Sequence, residues 1–275
     1  MEIIEGPYGL EFVKIPAGKV FLGTDKGGWI NASERPRHEV ELPEFLIMSK
    51  PLTRSQVAVI QGMESDDDSP YEGMENDTIE IISNLLSKHF DGDIRPPSQS
   101  EWQKARELDK IILQPGLTEF LADEATGNHR GAMMDGRPRR GEIRGPMSGH
   151  RVAWACHPKK KGVYARFSTP TDRSLPKNVA RLVISPIREG EAIRIPESAD
   201  LAKNIRSEIL WIALLGIIPS FAIPIIRGFD SYALSGWANL LFGGLCVGFI
   251  SGAFWRPRRP TWHIDDGGKL IPRKY

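Results

Sequence analysis

The feature that most constrains this chain is a pair of long apolar runs near its C-terminus. Residues 209–226 read ILWIALLGIIPSFAIPII and residues 231–255 read SYALSGWANLLFGGLCVGFISGAFW, and neither run contains a charged side chain. A helix rises about 1.5 Å per residue, so about 20 such residues cross the roughly 30 Å hydrocarbon layer of a bilayer. Two buried helices of a soluble core would normally carry a polar residue every turn or two. The sequence therefore predicts a transmembrane helical hairpin over residues 208–255, which makes the lipid bilayer its first expected partner.

Three glycines recur at four-residue spacing in the second apolar run, namely Gly244, Gly248 and Gly252. Residues four apart lie on the same face of a helix. Small residues on such a face let a second helix backbone approach closely, which favours packing inside a membrane. We expect these glycines to form a helix-packing site. The partner is either the first helix of the hairpin or a second copy of the chain, and the sequence does not separate the two.

Basic residues stand on both sides of the predicted hairpin. They are Arg188, Arg194, Lys203 and Arg206 before it, and Arg256, Arg258, Arg259, Lys269, Arg273 and Lys274 after it. The connecting loop has only Arg227, with Asp230 close by. Cytoplasmic flanks are enriched in Lys and Arg, so both termini are expected in the cytoplasm. The N-terminus lacks a basic region followed by an apolar stretch, and no cleavable signal peptide is predicted. We therefore expect a multi-pass membrane protein with a cytoplasmic domain.

The residues before the hairpin alternate between strand-like and helix-like patterns. Residues 11–23 read EFVKIPAGKVFLG and residues 39–47 read EVELPEFLI, and both alternate as strands do. Residues 78–90, TIEIISNLLSKHF, have apolar side chains at helical spacing. After residue 114, Gly, Pro and Arg dominate, and the predicted elements are short. The pattern indicates a mixed α+β domain with much irregular chain.

Helix starts are marked by two capping signals. Thr53 precedes RSQVAVIQGM, and Ser98 precedes QSEWQKARELDKI with Glu101 three residues on. A Ser or Thr at the start of a helix accepts a hydrogen bond from a free backbone N–H, and a Glu at the third position returns one. Ser98 and Glu101 therefore predict a capping box.

Three sequence blocks of this domain carry a family resemblance. They consist of Ile15, Pro16, Gly18, Phe21 and Gly23; then Glu34, Pro36, His38, Val40, Leu42 and Phe45 with Pro51, Leu52 and Thr53; then Arg95, Pro97, Ser98, Glu101 and Trp102. In order and spacing they resemble the formylglycine-generating enzyme (sulfatase-modifying factor) superfamily. Weaker matches are residues 116–120, Arg144 with Gly145, and residues 171–174 with Asn178 to Arg181. The resemblance covers residues 8–186. It implies an irregular, C-type-lectin-like α+β domain.

The chemistry of that family does not follow from the resemblance. Family enzymes that oxidise a sulfatase cysteine resemble one another in a pair of cysteines, five residues apart, that binds copper. Here Cys156 is the only cysteine in that region, with Arg151 and Lys161 at five residues on either side. A soft copper site needs a second thiolate that this region does not supply. The sequence therefore predicts a divergent, non-catalytic member of the fold, a pseudoenzyme, without a cofactor.

Cys156 and its neighbouring histidines are the remaining candidate site. His150 and His157 flank Cys156, and imidazole with thiolate suits zinc or copper. Their spacing matches no known ligand pattern, so surface histidines are the more ordinary interpretation. Cys156 is thus a weak catalytic candidate, and His150, Cys156 and His157 are weak metal-binding candidates.

Two charged segments suggest further contacts. Residues 64–80 contain eight acidic side chains and no Lys or Arg, in an order that does not match a calcium loop. Residues 130–181 contain thirteen basic and three acidic side chains, with few interleaved aromatic residues and no nucleic-acid recognition motif. The basic segment predicts contact with anionic lipid headgroups or a plain solubilising surface, and it argues against nucleic acid.

These observations divide the chain into a soluble domain (1–186), a juxtamembrane linker (187–207), the hairpin (208–255) and a basic tail (256–275). Three functions stay open: a non-catalytic binding or scaffolding protein, a divergent enzyme that uses Cys156, and an accessory subunit of a larger membrane complex. Fold alone does not choose among them. The missing cysteine pair favours the first.

Overall fold

The computed structural model describes residues 3–141, 145–160, 162–255 and 257–274. Arg144, Lys161 and Arg256, named above for their motif or charge, lie outside the described residues. The chain divides into two compact units. The first comprises Met1–Leu22, Glu39–Thr126 and Ala132–Arg194, and the second comprises Gly23–His38, Gly127–Gly131 and Ile195–Tyr275.

The secondary structure is mixed. The strands are β1 (Ile3–Glu5), β2 (Glu11–Ile15), β3 (Gly18–Leu22), β4 (His38–Leu42), β5 (Phe45–Met48), β6 (Asp93–Arg95), β7 (Thr118–Glu124), β8 (His150–Cys156), β9 (Tyr164–Pro170), β10 (Asn178–Val179), β11 (Val183–Ser185), β12 (Thr261–Ile264) and β13 (Leu270–Arg273). The helices are α1 (Arg54–Ile60), α2 (Asn76–Leu86), α3 (Gln99–Glu107), α4 (Leu201–Ile212), α5 (Ile218–Ile226) and α6 (Ser231–Phe254). The predicted α+β class is confirmed.

Two sheets organise the first unit. One is antiparallel, with the order β1-β2-β5-β11-β6, and the other has the order β10-β7-β8-β9 with β10 parallel to β7. Successive side chains of a strand point to opposite faces. In β2, Phe12 accordingly joins a core cluster with residues of α1 and α2, whereas Ile15 joins a second cluster that contains Trp102 of α3. The larger sheet thus has an apolar core on each face.

Local sequence signals set the helix starts as predicted. The hydroxyl oxygen of Ser98 accepts a hydrogen bond from the backbone N–H of Glu101 at 3.3 Å, and the Glu101 carboxylate accepts one from the N–H of Ser98 at 2.7 Å. Thr53 and Gln56 form the same reciprocal box at the start of α1. Both caps satisfy N–H groups that a helix start would otherwise leave without partners.

Two helices are long and apolar enough to cross a membrane. The first runs over 26 residues from Leu201 to Ile226 and contains a π-helical segment, Ala213–Ile217, between α4 and α5. The second is α6, with 24 residues. At 1.5 Å per residue they measure about 39 and 36 Å. The first helix begins at Leu201, inside the range 187–207 that was expected to be a linker. It therefore starts about two turns before the apolar run at residue 209.

The second unit contains the helical hairpin, the chain that follows α6, and the short segments Gly23–His38 and Gly127–Gly131. The ring of Trp29 contacts that of Phe254 edge-on at 6.0 Å, and the backbone N–H of Arg259 donates to the carbonyl oxygen of Asp25 at 2.8 Å. After α6, β12 and β13 form an antiparallel hairpin in the segment that composition alone indicated to be a basic tail. Trp262 of β12 pairs in parallel with His38. The end of α6 is therefore held by ordered structure.

Candidate functional site

Cys156 is the last residue of β8 and is buried, with 2% of its surface exposed. It packs with Leu113, Leu117 and Val179, and it lies opposite Tyr164 in the β8–β9 register. Partial burial raises the pKa of Tyr164 above its ordinary value, and the neighbouring Cys156 adds to the effect. The thiol is therefore enclosed by apolar side chains and one phenol.

The two histidines proposed with Cys156 are not brought together with it on one surface. His150 and Cys156 occupy opposite ends of the seven-residue strand β8, about 20 Å apart at 3.3 Å per residue. The Nδ1 atom of His157 accepts hydrogen bonds from the backbone N–H groups of Lys159 and Lys160 at 3.0 and 3.1 Å. Among the described residues, no group of three or more His, Cys, Asp or Glu is placed to hold a metal ion. The geometry gives the proposed trio no common site.

An aromatic cluster lies next to Cys156. Trp102 of α3 stacks on Trp154 of β8 with ring centroids 5.1 Å apart and planes 9° from parallel, and Tyr164 contacts Trp102 edge-on at 5.4 Å. The guanidinium of Arg106 lies 5.8–6.0 Å from all three ring centroids. Cations are attracted to aromatic faces at such distances. The buried indole N–H of Trp154 has no acceptor among the described residues. Trp102, Trp154, Tyr164 and Arg106 are together called the aromatic cluster below.

A fully buried ion pair contacts Trp102 of the aromatic cluster. Both side chains, Glu119 of β7 and Arg181, are 0% exposed. Two N–H groups of Arg181 donate to the Glu119 carboxylate, and the other three donate to the backbone oxygens of Met48, Ser49 and Ile112. The indole N–H of Trp102 donates to Glu119 at 3.0 Å. All five guanidinium donors are thus used within the fold.

A second buried pair joins β6 to α3. Arg95 donates two hydrogen bonds to Glu101, at 2.7 and 3.0 Å. Burial alone would raise the pKa of Glu101, but the ion pair and the capping hydrogen bond outweigh it and hold the pKa below its ordinary value. The nearby Asp123 has the opposite shift, because burial raises its pKa more than its bonds from the backbone N–H groups of Arg139 and Gln99 lower it.

The polar residues of the third motif block, which runs from Arg95 to Trp102, therefore make contacts that stabilise the fold. The same is true of Arg181, from the weaker C-terminal match. Arg95, Ser98 and Glu101 hold the start of α3, and Trp102 is tied to Glu119 and Arg181. None of these side chains is free for acid–base work in this geometry, because each polar atom named is engaged in a buried hydrogen bond. Trp102, Glu119 and Arg181 all lie in motif matches named above, but the sequence did not indicate that Glu119 pairs with Arg181, 62 residues later.

His38, from the second motif block, belongs to the second unit. It is 0% exposed, and burial lowers its pKa to about 4, only partly offset by its contact with the backbone oxygen of Pro36 at 3.1 Å. The imidazole is therefore neutral at pH 7. Its ring meets that of His129 edge-on at 5.3 Å. Gly23, from the first block, adopts a φ of +77° with the carbonyl oxygen of Glu34 2.4 Å from the position of an added Cβ, so only glycine fits.

The three glycines of α6 face the first helix of the same chain. A Cβ added to Gly244 would lie 3.0 Å from the Cα of Gly216, and one added to Gly248 would lie 2.7 Å from the Cα of Ile212. At Gly252 the nearest atom is the Cα of Glu208, at 3.3 Å. The two backbones thus approach closely along this stripe, as small residues allow.

Several basic side chains of residues 130–181 are engaged within the first unit. Arg151 donates to Glu80 at 2.7 Å, Arg137 donates to Asp135 at 2.7 Å, and Arg181 is buried as described. Lys159 and Lys160 are exposed. This segment is therefore not a uniform basic face.

Comparisons with known proteins agree with this architecture. No protein-family model and no curated protein sequence matches the chain. PvdO from Pseudomonas aeruginosa is similar in structure, with a TM-score of 0.54 and 14% identity, over 67% of this chain and 98% of that one. Treponema denticola variable protein 1 (TM-score 0.41, 15% identity, 67% and 99% coverage) and CarF (0.37, 13%, 65% and 99%) are also found. At 14% identity, the match to PvdO shows a shared fold only. The chain thus has a formylglycine-generating-enzyme-like fold followed by two helices that are long and apolar enough to cross a membrane.

Proposed function

We propose that this protein is a membrane-anchored, non-catalytic binding or scaffolding protein. The observation that carries the proposal is the exposure of the hairpin. Only 17% of the apolar window of the first helix and 11% of that of α6 are buried. Ile226 is 83% exposed and Phe242 is 71% exposed. Fully burying such a side chain is worth about 1.5–3 kcal/mol, so transfer of this exposed apolar surface from water into lipid is favourable, which supports membrane insertion.

The charges around the hairpin support a proposed orientation. Basic residues flank both ends, whereas Arg227 in the connecting turn is paired with Asp230 at 3.1 Å. Asp230 also caps α6 by accepting the backbone N–H of Ala233 at 2.6 Å. We place both termini on the cytoplasmic side.

The absence of catalysis is supported by the cysteine count and by the motif residues. Cys156 is the only cysteine of the first unit, and Cys246 lies in α6. Cys156 is enclosed by apolar side chains, and a reactive thiol is normally partly exposed in electropositive surroundings. The polar motif residues around α3 serve the fold. A fold of this kind, fixed to a membrane, suits a protein that presents a surface to a partner.

The aromatic cluster is the surface that best fits a partner. Trp154, Tyr164 and Arg106 are each partly exposed. Aromatic side chains and Arg are enriched at the centres of interfaces. We propose that this cluster contacts the partner.

An oxidation assay tests the non-catalytic proposal. We expect the full chain in detergent, supplied with copper and oxygen, to leave a sulfatase-type cysteine peptide unchanged, because the second thiolate of a copper site is missing. Mass spectrometry of the peptide reads the outcome directly, since conversion of the cysteine to an aldehyde changes its mass. The Cys156→Ala variant is the matched control. Aldehyde that forms with the wild type and not with Cys156→Ala would show a divergent enzyme instead.

A further inference from the structure

A groove of about 680 Å³ opens beside α4, where it meets the end of α6. Leu210, Leu214, Trp211 and Trp255 form its apolar part. The indole N–H of Trp211 donates to the backbone oxygen of Trp255 at 3.2 Å, and the two ring centroids are 6.2 Å apart. This contact fixes the groove wall on α4 to the end of α6. We call this feature the basal groove.

Three basic side chains line the other part of the basal groove: Lys203, Arg206 and Arg259. Arg259 is buried and donates to the side-chain oxygen of Asn204 at 2.7 Å, which fixes its position. Lys203 and Arg206 are exposed. The described residues that line the groove include no Asp or Glu. Asp200, directly before α4, interacts electrostatically with Lys203 and Arg259 but does not line the groove. The groove wall itself therefore presents three cations and no carboxylate among the described residues.

The basic and then the apolar side chains of the basal groove follow one another along one face of α4. Lys203, Arg206 and Leu210 recur at intervals of three and four residues, so they lie on the same side of α4. Glu208, the acidic residue within α4, faces α6 instead, since its Cα is the closest atom to an added Cβ on Gly252. The groove face thus passes from cationic to apolar toward the interior of the hairpin.

This order matches the layers of a bilayer. Trp side chains concentrate at the membrane–water interface, which places that interface near Trp211 and Trp255. Arg206 is five residues from Trp211, about 7.5 Å along the helix, and Lys203 is about 12 Å away. The headgroup layer is about 5–8 Å thick on each side. The cations therefore stand at and just beyond the headgroups, while Leu214 lies about 4.5 Å into the hydrocarbon side.

We propose that the basal groove binds one anionic glycerophospholipid, a step that rests on the proposed insertion of the hairpin into a bilayer. The phosphate sits among Lys203, Arg206 and Arg259, and an acyl chain lies along Leu210 and Leu214. Charge complementarity selects the ligand, because a headgroup with a net negative charge gains more from three cations than a zwitterionic one. The apolar half requires a lipid rather than a free phosphate.

The test uses the full chain in nanodiscs that contain equal amounts of phosphatidylglycerol and phosphatidylcholine, with the retained lipid identified by native mass spectrometry. We expect the wild type to keep one phosphatidylglycerol. The K203Q/R206Q variant should keep it about thirtyfold less strongly, as expected from the loss of two basic residues near an anionic surface. The K159Q/K160Q variant removes the same charge from the basic segment of the first unit and should behave as the wild type. Glycerol phosphate in solution should not displace the lipid.

Several outcomes would overturn the proposal. These are equal retention of phosphatidylcholine, unchanged retention by K203Q/R206Q, an equal loss with K159Q/K160Q, or displacement by glycerol phosphate. The last would indicate a phosphate site without a lipid. Failure of the hairpin to insert is a separate result, because the protein would then be absent from the nanodisc fraction. Lipid retention is read only from protein that has inserted.

Discussion

Replacing Arg181 with methionine is expected to destabilise the first unit by about 3–5 kcal/mol, because it leaves the buried Glu119 carboxylate without its cation. Three backbone oxygens lose their donors as well. For a unit of this size the unfolding temperature should fall by about 10 °C. Thermal unfolding of the full chain in detergent, followed by intrinsic fluorescence, measures the shift.

Two variants make this result specific. Glu119→Gln keeps an acceptor for the indole N–H of Trp102 but removes the charge, so R181M/E119Q should be less destabilised than the sum of the single changes. Arg173→Met alters an arginine that is 71% exposed and should change stability by less than about 0.5 kcal/mol. If Arg181→Met behaved like Arg173→Met, the buried pair would have no structural role.

Replacing Gly248 with isoleucine is expected to separate α6 from the first helix. An added Cβ would lie 2.7 Å from the Cα of Ile212 and 3.0 Å from the backbone oxygen of Trp211, so the backbones must move apart. We expect the spacing to grow by about 2 Å, toward the 8–10 Å of helices with larger side chains at their contact. Spin labels at the exposed positions Leu214 and Phe249, in a chain with both cysteines replaced by alanine, report the distance.

The same helix supplies the control. Gly243 has no atom within 4 Å of an added Cβ, so Gly243→Ile adds the same side chain without a clash. Its label distance should equal that of the starting chain. An unchanged distance in Gly248→Ile would mean that the stripe is not a contact between these helices.

Local signals in the sequence predict much of this fold. Ser98 and Glu101 are three residues apart, so their capping box is readable directly, and the hairpin follows from uninterrupted apolar composition. The strands of the first unit that come after residue 114 were not predicted: β7, β8 and β9 each have seven residues, where short elements were expected. Their stability depends on pairing with distant partners, such as β10 beside β7, and strand propensity alone carries little of that information.

The site shows the same division between local and distant information. Trp102, Glu119 and Arg181 come from three separated segments, and nothing in the local sequence indicates that they meet. His150 and His157 flank Cys156 in the sequence, but an extended strand places His150 and Cys156 at opposite ends of β8. A missed signal lies in residues 261–273, where TWHI and LIPR flank the turn-forming DDGG and predict the β12–β13 hairpin.

Chemical labelling of Cys246 tests most directly that the hairpin lies in a membrane. Its thiol is exposed in the structure, so only surrounding lipid shields it from water. In detergent-free lysate of cells expressing the Cys156→Ala variant, we expect no modification of Cys246 by a water-soluble maleimide, and full modification after unfolding in SDS. A cysteine introduced at Phe229, in the turn, should react from outside intact cells if both termini are cytoplasmic. Ready modification of Cys246 before SDS is added would contradict the account, because the hairpin would then stand in water.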